Sequence, residues 1–246
     1  MQLFHHIGSY LMLLVTILRR PQNAKIYRQK IIIEMDNLGL QSLGIVAIIS
    51  VFMGAVVTIQ TAFNTEHPLL PIYAVGFATR QSIILEFSPT IISLILAGKV
   101  GSRIASEIGT MRVTEQIDAL EVMGINSAGY LILPKIVASM IVNPMLIIIS
   151  IFLGVFGGWL ASYVTDVVPL SHFTYGILFE FSQYDVFYAL IKTVVFAFLI
   201  ASISGYFGYI TKGGALEVGH SSTKAVVFSS IFIIIFNLIL TQILLV

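Results

Sequence analysis

Cysteine is absent from this chain of 246 residues, which excludes a disulfide framework, a thiolate metal site and a cysteine nucleophile. Charge is scarce as well, since Asp, Glu, Lys and Arg make up 10% of the residues, against about 25% in an average soluble domain. The net charge of +1 gives no electrostatic footprint for a nucleic acid. The five histidines are scattered over separate segments, so neither a metal site nor a cofactor site is expected.

The chain contains few charged residues but many long apolar runs. Hydrophobic residues make up 57% of the chain, more than a soluble fold of ordinary composition contains. The runs have about 20 residues, the length of helix that crosses a hydrocarbon core of about 30 Å. They predict an all-α integral membrane protein with five transmembrane helices, at residues 40–63, 81–105, 131–163, 186–210 and 225–246.

The N-terminal segment differs from the five spans. Residues 1–18 carry apolar side chains at helical spacing, but the unbroken apolar part is too short to span a bilayer. We predict an interfacial helix, which stays on the protein because the segment lacks a basic start and a small-residue cleavage site. A basic linker follows it. Residues 1–246 then form a single domain, with the interfacial helix and linker at 1–37 and a five-span region at 38–246.

The basic residues indicate the orientation, because Lys and Arg accumulate in short cytoplasmic loops. With a cytoplasmic N-terminus, eleven of the thirteen basic residues fall on the inner side. Only Arg80 and Lys192 remain on the outer side. Five spans then place the C-terminus on the outer side of the membrane.

The polar segment at residues 107–125, between the second and third spans, is predicted to contain a short cytoplasmic helix. Thr114 is a suitable N-cap, Glu115 then lies in the first turn, and Gly124 ends the helix. Apolar and acidic residues occupy adjacent faces: Val113, Ile117 and Leu120 on the first, and Glu115, Asp118 and Glu121 on the second. The helix either lies on the membrane or binds a protein. A protein partner is favoured, because anionic lipid would repel three carboxylates that have no basic residue among them.

Two charged residues lie inside predicted spans, where a charge is costly and by default functional. Glu86 is about five residues into the second span and Lys192 about six into the fourth, so both are expected about 7–9 Å below the outer interface. They form a structural ion pair, reach the headgroups, or have a functional role. Asn237 in the last span is ambiguous, since it can simply hydrogen-bond a neighbouring helix.

Catalytic motifs do not accompany these charges. Residues 214–221 approach the spacing of a phosphate-binding P-loop, but His220 stands where the motif requires Lys, and a membrane helix precedes it instead of a strand. The chain is therefore not expected to hydrolyse nucleotide, and a pump built from it needs a separate ATPase. Because Gly-x-Ser-x-Gly and HExxH are also absent, an intramembrane lipid-modifying enzyme is the weaker alternative.

A dense set of motifs runs from the second span into the central polar segment. It reads Glu86-Phe-Ser-Pro89, Ala97-Gly-Lys-Val-Gly101-Ser-Arg, Glu107-Ile-Gly-Thr-Met-Arg112 and Thr114-Glu-Gln-Ile-Asp-Ala-Leu120. With these motifs the chain resembles, over nearly its whole length, the MlaE-type permease family of bacterial and plastid lipid ABC transporters. Two positions depart from the family pattern, since Leu85 stands where relatives carry Arg and Asn237 where they carry an acid.

The resemblance implies a homodimeric permease of the inner membrane, with a cytoplasmic N-terminus and a periplasmic C-terminus. It would move phospholipid between that membrane and the periplasm or outer membrane, driven by a separate ABC ATPase and capped by a periplasmic MCE-domain protein. The implied ATPase-coupling residues, on a cytoplasmic coupling helix, are Glu115, Gln116, Asp118 and Leu120. The positions implied at the lipid cavity are Glu86, Lys192 and Asn237. A permease for a small solute or a drug is the alternative within the ABC class.

Overall fold

The structure, a computed structural model, describes residues 2–18, 24–65 and 71–245, with the side chains of residues 7–17, 26–65 and 71–245. It is 90% helical and has no strand in these ranges. The helices are α1 Gln2–Leu18, α2 Ala24–Met35, α3 Gln41–Asn64, α4 Ala74–Ser82, α5 Ile92–Leu96, α6 Ser102–Val113, α7 Gln116–Val122, α8 Ser127–Thr165, α9 Leu170–Leu178, α10 Gln183–Tyr209 and α11 Ala215–Leu245. The start of the predicted basic linker, with Arg19 and Arg20, lies outside the described residues.

Five helical stretches are long and apolar enough to cross a membrane: Ile26–Asn64, Ala74–Val113, Ser127–Thr165, Gln183–Tyr209 and Ala215–Leu245. A shorter apolar helix, Ile7–Ile17, precedes them. The predicted all-α membrane protein with five spans and a short N-terminal helix is thereby confirmed. The interfacial position of that helix stays a prediction.

All five stretches begin earlier in the chain than the hydropathy pattern predicts, and the first and the fifth differ most from it. The first begins at Ile26 instead of residue 40, because Glu34, which interrupts the apolar pattern, forms an ion pair with Lys135 inside the protein. The fifth begins at Ala215 instead of residue 225. Its first turn carries Glu217, which the positive end of the helix dipole favours. The described residues before each predicted start are therefore mostly helical, where a linker and a loop were expected.

Three π-helical segments interrupt the α-helical runs: Asp36–Leu40, Ile83–Ile91 and Ala97–Gly101. The longest contains Pro89, which has no backbone N–H and cannot continue a regular α-helical hydrogen-bond pattern. Wider π-turns absorb such breaks and are frequent at functional sites. The same segment carries Glu86 in its first turn, so the irregular backbone coincides with the charge in the second span.

The chain folds into two compact units, each assembled from separate stretches. The first unit consists of Met1–Gln41, Leu94–Asn143 and Val194–Val246. The second unit consists of Ser42–Ser93 and Pro144–Thr193. The two predicted sites, the intramembrane charges and the coupling helix, can therefore be described separately.

Small residues bring the helices of the first unit together. A Cβ atom at Gly208 on α10 would lie 2.8 Å from the carbonyl oxygen of Ala105 on α6, and one at Gly109 would lie 3.3 Å from the side chain of Val218 on α11. Such contacts are typical of membrane helices, whose backbones approach most closely at small residues. The N-terminal α1 joins this unit through Tyr10, whose hydroxyl shares a hydrogen bond of 2.7 Å with Ser202 on α10.

Glycines also set the helix crossings of the second unit. A Cβ atom at Gly54 on α3 would overlap the carbonyl oxygen of Gly154 on α8, and one at Gly76 on α4 would overlap the carbonyl oxygen of Phe173 on α9. Larger residues at these positions would force the helix pairs apart, so the sequence of small residues determines where α3 meets α8 and α4 meets α9.

An arginine caps the short helix α9 within the second unit. Arg80 on α4 is 2% exposed, and its guanidinium donates hydrogen bonds to the carbonyl oxygens of Ile177 at 2.7 Å and Phe179 at 2.9 Å. A cation at the C-terminal end of a helix satisfies carbonyls that have no partner inside the helix. One of the two basic residues assigned to the outer side thus has a structural role.

Candidate functional site

An ion pair between a buried lysine and a partly exposed glutamate joins the second and fourth spans within the second unit. Lys192 Nζ lies 2.8 Å from Glu86 Oε1. The π-segment Ile83–Ile91 positions the glutamate, and α10 positions the lysine. The two intramembrane charges that the sequence singled out are therefore direct partners, and their pairing offsets the cost of placing each charge inside a span.

The Lys192 ammonium uses its hydrogen-bonding capacity inside the protein. Besides Glu86 it donates to the carbonyl oxygen of Leu85 at 3.3 Å, and it lies 4.6 Å from the centre of the Tyr188 ring, within cation–π range. An ammonium has three donors, and two of them are used by these hydrogen bonds. The Lys192 side chain is 0% exposed and that of Glu86 43% exposed. The accessible member of the pair is the carboxylate, and an anion can reach Lys192 only by displacing one of these contacts.

A chain of serine hydroxyls and a small cavity belong to the same π-segment. Ser150 Oγ donates to Ser88 Oγ at 3.0 Å, and Ser50 Oγ lies 2.8 Å from Ser150 Oγ. All three serines are buried, and they line a cavity of about 10 Å³, room for about one water molecule. The apolar residues of its wall are Met53, Ile83, Phe87, Ile91 and Ile92. Ligand pockets have volumes of about 300–1,000 Å³, so this cavity is not itself a ligand site, and it shows only that apolar and hydroxyl groups surround the π-segment.

Asn237, the third predicted cavity residue, belongs to α11 in the first unit, whereas Glu86 and Lys192 belong to the second. Its backbone carbonyl accepts a hydrogen bond of 2.8 Å from Thr241 Oγ1, and its side chain is half-buried. A common site that includes Asn237 stays a prediction.

The predicted coupling helix begins differently from the expectation. The helix α7 covers Gln116–Val122, and Glu115 precedes it with a left-handed φ of 59°. Thr114 Oγ1 donates back to the carbonyl oxygen of Thr110 at 2.8 Å. The predicted Thr114 cap is therefore wrong, because the Thr114 hydroxyl is hydrogen-bonded to the last turn of α6 and does not cap α7. Gly124 lies two residues beyond α7 with φ of 75°, in agreement with its predicted role as the end of the helix.

Two of the three acidic side chains assigned to the partner-binding face are engaged within the first unit. Asp118 forms an ion pair of 2.7 Å with Arg112. Glu121 Oε1 accepts hydrogen bonds from the Tyr209 and Ser127 hydroxyls, each at 2.8 Å. These two hydroxyls, with a smaller contribution from Arg112, lower the pKa of Glu121. No basic residue lies among the three carboxylates in the sequence, but the structure adds Arg112 from the end of α6 as a partner of Asp118.

Lys135 is a second buried lysine with carboxylate partners. Its Nζ lies 2.6 Å from Glu34 Oε1 and 2.9 Å from Glu107 Oε2, and its side chain is 3% exposed. Sequence reasoning used Lys135 only as one of the inner basic residues. Lys135 lies inside the predicted third span, where a charge is as costly as it is at Lys192. This position alone predicts that Lys135 has a partner.

Side chains that commonly bind metal ions are not clustered in the described part of the chain. There, no group of three or more His, Cys, Asp or Glu side chains is arranged to hold a metal ion. Two histidines have described side chains, His172 and His220, and these are exposed and belong to different units.

Comparisons with known proteins agree on one family. The family model described as "Permease MlaE" matches residues 31–243. A probable ABC transporter permease protein of Rickettsia bellii is 37% identical, over 93% of this chain and 86% of the relative. Another, from Synechocystis sp., is 36% identical over 88% of this chain and 82% of the relative. The chloroplastic protein TRIGALACTOSYLDIACYLGLYCEROL 1 of Arabidopsis thaliana is 33% identical over 92% of this chain and 64% of the relative.

Proposed function

This chain belongs to the MlaE permease family and is a multi-pass permease subunit of an ABC transporter, and we propose that its substrate is phospholipid, moved between the inner membrane and the periplasm or outer membrane. The observation that carries the proposal is the Glu86–Lys192 pair. It places two opposite charges beside the mainly apolar side chains of the π-segment that carries Glu86. Charged and apolar surroundings side by side suit an amphiphilic substrate with a headgroup and acyl chains.

Exchange of partners is the proposed role of the pair. A lipid phosphate would replace the Glu86 carboxylate on Lys192, so that the buried ammonium keeps an anionic partner throughout. Glu86, which is 43% exposed, would then orient the incoming headgroup from the accessible side. Because lysine is a point charge and not a planar fork, it would bind phosphate without selecting one headgroup. Asn237 would add a hydrogen bond to the lipid from the last span.

A separate ABC ATPase is the proposed energy source, and α7 its proposed contact. Glu115, Gln116 and Asp118 are exposed, and Leu120 is half-buried. These side chains lie outside the membrane-crossing stretches, where a soluble subunit can reach them. Asp118 would meet the ATPase together with Arg112, its ion-pair partner.

The proposed assembly is a two-fold homodimer in the inner membrane with an MCE-domain protein on its periplasmic side. Five spans are few for a closed lipid path, and two-fold pairing is the commonest symmetry of oligomers. A cytoplasmic N-terminus and a periplasmic C-terminus follow from the eleven basic residues assigned to the inner side,.

Native mass spectrometry of the complex purified in mild detergent tests the proposal directly. We expect two copies of this chain with two ATPase subunits, an MCE-domain protein and bound phospholipid. A complex that carries a small polar solute and no phospholipid would contradict the substrate assignment. The ATPase contact has its own test, because Glu115→Lys should release the ATPase, whereas Glu217→Lys, on α11, serves as the charge-matched control.

A further inference from the structure

Three oxygen atoms meet at the C-terminal end of α7. Glu121 Oε1 lies 2.8 Å from the Tyr209 hydroxyl and 2.8 Å from Ser127 Oγ. The Tyr209 and Ser127 oxygens are also 2.8 Å apart. Glu121 belongs to α7, Ser127 begins α8 and Tyr209 ends α10. We call this contact of three helices the α7 joint.

Arg112 reinforces the α7 joint from the end of α6. Its guanidinium pairs with Asp118 on α7 at 2.7 Å and lies 5.7 Å from the centre of the Tyr209 ring. Tyr209 therefore contacts α7 directly through its hydroxyl, and indirectly through the arginine on its ring. A tyrosine with both contacts is better placed than any single ion pair to fix the orientation of α7.

The length of α7 makes these contacts decisive. It has seven residues, fewer than the about 12–15 that an isolated helix needs to be even marginally stable in water. Ile117 is completely buried and anchors the middle of the helix. The position of its C-terminal end then depends on Glu121, because Val122 is 89% exposed and Met123 66% exposed.

We propose that Tyr209 and Ser127 are positioning residues that hold α7 against α8 and α10 through Glu121 and pass its displacement on to α10. The proposal rests on the proposed function, since it takes the ATPase to act on α7. The helix α10, which Tyr209 ends, also contains Lys192. A movement of α7 would thereby also move α10, which carries Lys192 of the proposed lipid site. In this proposal the hydrogen bond between Tyr209 and Glu121 couples ATP hydrolysis to lipid movement.

Tyr209→Phe is the sharpest variant, because it removes the hydroxyl and keeps the ring beneath Arg112. In the complete transporter reconstituted with its ATPase, we expect ATP hydrolysis to persist while lipid moved per ATP falls by about tenfold, the scale of one hydrogen bond to a charged group. Tyr163→Phe is the matched control, since this tyrosine is exposed and stacks on Trp159 through its ring. Its coupling ratio should equal that of the wild type.

A double-mutant cycle separates positioning from general weakening. Once Glu121→Ala has removed the acceptor, adding Tyr209→Phe should cost nothing further, and Glu121→Gln, which keeps one acceptor oxygen, should restore part of the coupling. Additive losses, or a Tyr209→Phe coupling ratio within twofold of the wild type, would overturn the proposal. Failure of the wild-type chain to bind any ATPase would instead overturn the proposed function.

The absence of cysteine allows a readout that needs no ATPase. A fluorophore on Met123→Cys reports the motion of the end of α7 in the full-length protein. We expect its anisotropy to fall when Tyr209→Phe is added and to stay unchanged with Tyr163→Phe. Equal anisotropy in both backgrounds would show that the α7 joint does not hold α7.

Discussion

Lys135 in the first unit and Lys192 in the second are both buried lysines in helices long enough to cross a membrane, yet their surroundings differ. Lys135 lies between two carboxylates, Glu34 and Glu107, at 2.6 Å and 2.9 Å. The partners described for Lys192 are one carboxylate, Glu86 at 2.8 Å, with a backbone carbonyl and an aromatic ring. Lys135 would therefore keep one carboxylate partner if it lost the other, whereas Lys192 has no second carboxylate among these contacts.

From this difference we infer which of the two lysines is the better candidate to exchange its partner. If the exposed Glu107 left Lys135, the less exposed Glu34 would still neutralise it. If Glu86 left Lys192, a buried charge would need a new anion, because an uncompensated charge inside a protein is costly. A substrate phosphate can be that anion. We therefore propose a structural role for the Lys135 cluster and a substrate-binding role for the Lys192 pair.

Removal of the Lys135 charge should have the largest effect on stability. Lys135→Met leaves Glu34 and Glu107 facing each other without a cation, and a broken buried pair costs about 3–5 kcal/mol. We expect the thermal midpoint in detergent to drop sharply and little folded protein to accumulate. In the control, which adds Glu34→Gln and Glu107→Gln, the charges are removed together and most stability should return. A Lys135→Met protein as stable as the wild type would contradict the structural role.

Lys192→Met should damage transport more than folding. The remaining Glu86 is 43% exposed and can be hydrated, so we expect a stability loss of about 1–3 kcal/mol. Loss of a charged contact to phosphate should lower the transport rate about 10–150-fold, the equivalent of about 1.5–3 kcal/mol. Both quantities can be measured on one preparation reconstituted with the ATPase. Normal transport in this variant would leave Lys192 with a packing role.

The carboxylates offer a matched pair of smaller changes. Glu86→Gln leaves Lys192 without a carboxylate among its described contacts and should cost about 1.5–3 kcal/mol. Glu107→Gln leaves Glu34 in place, and because Glu107 is 45% exposed its loss should cost less than about 1 kcal/mol. Urea or thermal unfolding of the two variants in the same detergent gives the comparison. Equal losses of stability would show that Glu34 does not compensate Lys135 when Glu107 is neutralised.

Acid should have the smallest effect, and it should act at Glu121, outside both lysine sites. Hydrogen bonds lower the pKa of Glu121 from its ordinary value of 4.5. A carboxylate with a lowered folded-state pKa stabilises the fold when ionised, so its contribution is complete above that ordinary value and is lost as the pH falls through the lowered pKa. The difference in thermal midpoint between the wild type and Glu121→Gln should therefore shrink on acidification. A difference that is constant with pH would exclude this origin.

Hydropathy predicted the five spans because each is a long apolar run, a property of local sequence alone. The depth rule also selected Glu86 and Lys192, since both lie a similar distance inside spans that enter from the same side. Their pairing could be inferred because a charge in a span needs a partner and few candidates existed. The start of the first helical stretch was not predicted, because a charged residue such as Glu34 indicates a loop when its partner, Lys135, is not known.

The surroundings of α7 and Lys135 could not be inferred from local sequence. Lys135 pairs with Glu34, 101 residues away, and with Glu107, 28 residues away. Tyr209 and Glu121 are 88 residues apart, and no periodicity connects an aromatic residue at the end of a span to a loop glutamate. Such contacts depend on which helix ends meet, a property of tertiary packing. The acidic face of α7 was therefore read as available to a partner, although two of its carboxylates are engaged inside the protein.

Charge reversal across the Lys192 pair tests most directly whether this pair is the lipid site. In Glu86→Lys combined with Lys192→Glu the ion pair persists, but the ammonium and the carboxylate trade places. We predict a folded protein that binds its ATPase, transports phospholipid poorly, and cross-links to a headgroup-labelled photoreactive lipid at least about fivefold less than the wild type, the scale of one weakened charged contact. Wild-type transport and cross-linking by the reversed pair would contradict this account and leave a pair that only holds two helices together.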